Sequence, residues 1–99
     1  MNRIEVQNVA AQRVERLQSL SFTAIAALPE RQDEIERARG REIAVATYLD
    51  RLPDDRIRVV VQAYFHRLLG VGTMALKGFF IAPDNTRTPV PEKLMWEFV

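Results

Sequence analysis

Residues 57–65, IRVVVQAYF, place an apolar side chain at every second position: Ile57, Val59, Val61, Ala63 and Phe65. A period of two belongs to a β-strand with one face turned to a core. The stretch before it, LPDDR, names that strand's partner. Pro53 and Asp54 suit the central positions of a type I turn. Asp55 takes the left-handed position, which aspartate tolerates. Leu52 then faces Arg56, and the register runs back through Leu49–Val59, Thr47–Val61, Val45–Ala63 and Ile43–Phe65. One face becomes apolar across both strands, and a slip by one residue would scramble it.

The same register defines the other face. Asp50 falls opposite Arg58, Tyr48 opposite Val60, Ala46 opposite Gln62, Ala44 opposite Tyr64, and Glu42 opposite His66, the only histidine. This face is too apolar and aromatic for an ordinary wet surface.

The rest of the chain is read around this hairpin. Residues 2–19 form an amphipathic helix, with Asn2 and Glu5 as a capping box. Val6, Val9, Ala10, Val14, Leu17 and Leu20 make its stripe. SFTAIAALP gives a short second helix or a kinked continuation, capped by Ser21 and stopped before Pro29. ERQDEIERARGRE has helical propensity between Pro29 and Gly40, yet Ile35 is almost its only sizeable apolar residue. The preferred reading is a polar edge strand over residues 31–37, whose charges discourage edge-to-edge pairing. A three-residue loop, Ala38-Arg39-Gly40, then places Arg37 opposite Arg41 and Ile35 opposite Ile43.

LLGVGT connects to a fourth strand, MALKGFFIA. Met74, Leu76 and Phe80 form one side of it, Phe79 and Ile81 the other. Lys77 shares the second side and argues that this side faces outward. PDN repeats the earlier turn with Asn85 left-handed, and a short strand over residues 86–90 returns beside 78–82. PEKLMWEF closes as a helical turn that starts at Pro91, with Trp96 or Phe98 packed on the core or docked into a partner.

The expected class is therefore α+β. An N-terminal helix, kinked or not, packs on one face of a four- or five-stranded antiparallel meander, with a short C-terminal helix. The 99 residues form one domain, 1–99, burying roughly 60–65% of their unfolded surface.

Composition narrows function more than it defines it. The net charge of +1 gives no long-range field for nucleic acid or an anionic membrane. Cysteine is absent, which removes disulfides, thiolate metal sites and a cysteine nucleophile. With one histidine no common zinc site can form. GVGT lacks the GK[ST] of a phosphate loop, DEIE lacks the spacing of a calcium loop, and no serine sits in a nucleophile elbow. No cofactor is implied. No signal-peptide core and no apolar run near ~20 residues is present, so the expectation is a cytoplasmic protein without membrane contact.

The candidate surface is the outer sheet face: Glu42, Tyr48, Arg58, Val60, Gln62, Tyr64, His66 and, on the parity above, Phe79. Tyrosine, phenylalanine and arginine favour protein interfaces, so a homodimer or other protein partner is expected. Two alternatives share the face. His66 oriented by Glu42 could act as general acid or base in a small-molecule pocket. Tyr48, Tyr64 and Phe79 could stack single-stranded bases, against which stand the neutral charge and the absence of an RNP-like motif.

Overall fold

The computed structural model describes residues 3–38, 40–66 and 72–95. In chain order it holds α1 (Arg3–Gln18), α2 (Phe22–Ala26), β1 (Arg31–Ala38), β2 (Arg41–Arg51), β3 (Ile57–His66), β4 (Gly72–Ile81), β5 (Arg87–Pro89) and α3 (Glu92–Met95). The strands form one antiparallel meander in the order β1-β2-β3-β4-β5. This is the α+β arrangement expected from helices followed by strands.

α1 buries Val6, Val9, Ala10, Val14 and Leu17 at helical spacing, mainly against β3 and β4. Opposite them lie Ile43, Val45, Leu49, Val59, Val61 and their neighbours on the inner face of the sheet. The helix stops where Ser19 turns its hydroxyl to the Arg16 carbonyl at 2.6 Å. Ser21 then caps α2, accepting from the Ala24 N–H at 3.2 Å. The second helix is a separate element that drops Ile25 into the core. The Phe22 N–H donates to Asn85 Oδ1 at 2.8 Å, tying α2 to the turn between β4 and β5.

Two hairpins follow their turn chemistry. Leu52 and Arg56 close the first, with Asp55 at φ 71°. Ala82 and Thr86 close the other, with Asn85 at φ 71°. The β2–β3 register runs from Ala44–Tyr64 to Arg51–Ile57, as the turn at residues 53–55 dictates. The last strand is shorter than expected, because Val90 leaves the ladder and turns under the sheet.

Two expectations are corrected. The β1–β2 hairpin closes through a two-residue loop, residues 39–40, with Gly40 at φ 74°. Glu36 therefore faces Ile43, and Ile35 faces Ala44 on the outer side. The cause is Arg13. It lies on the buried side of α1, 8% exposed, and pairs with Glu34 at 2.6 Å and with Glu36. Removing the partners of a buried guanidinium costs about 3–5 kcal/mol. Leaving one isoleucine in water forfeits about 1.5–3 kcal/mol. The ion triad wins, and the two glutamates take the inner face. Burial pulls the Arg13 pKa down, but the two carboxylates together outweigh it and hold the group above its ordinary value.

The second correction concerns β4. Phe79 pairs with Val59 and Ile81 with Ile57, so both point into the α1 core, and Phe79 is 1% exposed. Met74, Leu76 and Phe80 take the outer face. Lys77 shares the inner face, yet it stays exposed at the β4 edge beyond β5. A lysine whose stem reaches water tolerates an apolar face. Burying Phe79 and Ile81 gains about 3–6 kcal/mol together, far more than one lysine at an edge loses. Among the described residues no helix is long and apolar enough to cross a membrane. The capping box at Asn2, the segment 67–71, Trp96 and Phe98 lie outside the described residues.

Candidate functional site

The outer face has two parts. Toward the turn at residues 53–55, the C-terminal segment covers it. Val60, Phe80, Val90 and Met95 form a second small core, with Tyr48, Leu52, Leu76 and Leu94 packed around it. Arg58 belongs to this part. It is 8% exposed, pairs with Asp50 at 2.6 Å and donates to the Leu94 carbonyl at 3.4 Å. Arg58 thus holds α3 against the sheet, and Val60 lies beneath the same cover. Arg56 stacks over the Phe80 ring at 4.7 Å.

Toward the turn at residues 39–40, the outer face is open among the described residues. The register sets Ile35, Ala44, Tyr64 and Met74 in one row across β1 to β4. Ile35 is 61% exposed and Ala44 is exposed beside it. Tyr64 is half-buried, its phenol lying over Gly72, where an added Cβ would collide with the hydroxyl oxygen. Glycine at residue 72 is thus what lets the ring lie across β4. A dip of about 460 Å³ runs along this part, lined by Ile35, Arg41, Glu42, Ala44, Tyr64 and Phe65.

The next row is locked by polar contacts. Tyr48 donates to Gln62 Oε1 at 3.2 Å, and Gln62 Nε2 donates to Met74 Sδ at 3.1 Å. Arg31 lies over the Tyr48 ring at 5.1 Å and pairs with Asp33 at 3.0 Å. That hydrogen bond to Asp33 holds the Arg31 pKa above its ordinary value.

The expected site residues therefore separate. Tyr48, Gln62 and Tyr64 share the open surface or its border. Val60 and Arg58 lie under the C-terminal cover, and Phe79 is in the opposite core. Glu42 is paired with Arg37 at 3.2 Å. The His66 side chain lies outside the described residues. No group of three or more His, Cys, Asp or Glu that could hold a metal occurs among the described residues.

Sequence reasoning missed Ile35 as a surface residue, because the three-residue loop buried it. The signal was present: Arg13 falls between Ala10 and Val14 on the apolar stripe of α1 and demands carboxylates opposite it. Compared with protein-family models, with curated proteins and with solved structures, the chain finds no match in any of the three.

Proposed function

We propose that this protein acts by binding rather than by catalysis, as a self-association module whose contact surface is the open part of the outer face. The observation that carries this reading is Ile35, 61% exposed on an edge strand and continued by Ala44 and Tyr64. Ile4 is as exposed, at 64%, but stands on the solvent side of α1 outside any such row. A polar rim of Arg31, Asp33, Arg37 and Glu42 surrounds the apolar row, the usual anatomy of a protein contact. The dip is wide and shallow, unlike the concave sites that enclose small ligands. Arg31 already caps the Tyr48 ring, which speaks against a base-stacking platform.

A concentration series of amide spectra tests the reading. The amides of Ile35, Ala44 and Tyr64 are expected to shift between about 20 µM and about 500 µM, the range of a weak interface. Those of Val60 and Leu94, under the C-terminal cover, are expected to stay fixed. Spectra independent of concentration across the whole range would overturn it.

A further inference from the structure

β1 is the end strand of the sheet, and its sequence is close to self-complementary about one residue. The Leu49 N–H donates to the Glu30 carbonyl at 2.8 Å, so Glu30 and Leu49 form a bonded pair. Bonded and non-bonded pairs alternate along an antiparallel ladder. Gln32, Glu34, Glu36 and Ala38 therefore turn their backbone groups toward β2. Asp33, Ile35 and Arg37 turn theirs outward, to an edge that carries no strand among the described residues.

We infer that the contact is made at the β1 border of this surface, by a second copy of the chain joined antiparallel along β1 with Ile35 on the two-fold axis. The inference rests on the self-association reading and specifies its geometry. In this register Ile35 meets Ile35 of the second copy, and Asp33 meets Arg37 of the second copy, twice by symmetry. All of these are outward-bonding positions, so every new rung can form its hydrogen bonds.

The side chains agree. Ile35 already adjoins Ala44 and Tyr64 across the sheet. The axis therefore extends one apolar row from Tyr64 through both isoleucines to Tyr64 of the second copy. Arg37 already pairs with Glu42 and becomes flanked by carboxylates on both sides. Opposite charges across a strand pair are favourable, and like charges directly opposite are not.

Neighbouring registers fail on this ground. An axis on Asp33, Glu34, Glu36 or Arg37 sets a charged residue opposite itself, and only Ile35 in that stretch avoids this. The charges on β1 thus oppose nonspecific edge pairing while leaving one register open. Within residues 32–38 its unfavourable rungs lie on the inner face, where Glu34 meets Glu36 of the second copy, twice by symmetry. Each of these is already held by its own Arg13. α1 packs mainly over β3 and β4, so the two helices stay clear of the axis.

The test uses the full-length chain in sedimentation equilibrium, with circular dichroism confirming the native fold of each variant. The wild type is expected to move toward twice the monomer mass as concentration rises to about 500 µM. Asp33→Arg alone and Arg37→Asp alone each set like charges across both rungs, and each is expected to weaken association at least about tenfold. An equimolar mixture of the two restores opposite charges at every rung and is expected to recover wild-type association. Ile35→Pro removes an outward N–H while leaving the β1–β2 ladder its bonds, and is expected to be monomeric with a native spectrum. A wild-type dimer with undiminished single variants, or a mixture that stays monomeric, overturns the β1 register and leaves self-association standing. A wild type that is monomeric throughout overturns both.

Discussion

The two ends of the outer sheet face are built from the same strands and met opposite fates. Near the turn at residues 53–55, Val60 and Phe80 lie under Val90 and Met95, and Arg58 fastens the cover through Asp50 and the Leu94 carbonyl. Near the turn at residues 39–40, Ala44 and Ile35 remain exposed. The difference teaches that coverage follows chain connectivity. The C-terminal segment leaves β5 at Val90 and comes back under the nearest strands. At the far end Arg13 reaches from α1 to Glu34 and Glu36 on β1. The first end is a second small core, and the other is a strand tethered by charge.

Substitutions can break this contrast. Phe79→Ala, in the core beneath α1, is expected to cost about 3–5 kcal/mol in denaturant unfolding. Ile35→Ala is expected to change the same measurement by less than about 0.5 kcal/mol. Comparable losses at the two sites would show that Ile35 is not a surface residue.

Arg13→Met is expected to cost about 1–2 kcal/mol, less than breaking a fully buried pair, because water reaches Glu34 and screens part of the loss. The sharper readout is local: amide exchange should accelerate across β1 while β3 stays protected. Uniform acceleration would mean that β1 is no separate unit.

Thr47 is 1% exposed on the inner face, and its hydroxyl has no hydrogen-bond partner among the described residues. Thr47→Val is expected to raise stability by about 1 kcal/mol in thermal or denaturant unfolding. A loss would reveal a partner for that hydroxyl.

The smallest effect lies in the two turns. Hydrogen bonding to Arg56 holds the Asp54 pKa below its ordinary 3.8, and hydrogen bonding to Thr86 does the same for Asp84. A carboxylate depressed in the folded state stabilises above its unfolded pKa, and that contribution disappears as pH falls through the folded value. Carbon-detected titrations should therefore place both midpoints below 3.8, with a slight loss of stability on further acidification. Midpoints at or above 3.8 would mean that these contacts do not persist in solution.

Much of the fold was legible because neighbouring residues carry it. The alternation at residues 57–65 and the turn at 53–55 are local, and together they set the β2–β3 register without reference to anything distant. Asn85 and its turn were readable for the same reason. The β1–β2 register was not, because Gly40 admits either loop length and the choice depends on Arg13, far away in the chain. The side of β4 was not legible, because a lysine on a strand face signals an outward side unless its stem reaches water, and only the place of Lys77 at the sheet edge provides that route. Tyr48, Gln62 and Tyr64 were legible as outer-face residues, whereas burial of Arg58 and Val60 depended on where α3 lands.

By itself the sequence determined the α+β order, the central hairpin with its two faces, and the polar edge strand, since period, turn chemistry and capping act over a few residues. Only the tertiary structure decided which face of β1 and β4 turns inward and which part of the outer face stays open. Those choices balance a buried guanidinium, two apolar side chains and a returning C-terminal segment against one another, and that balance exists only once distant parts of the chain meet.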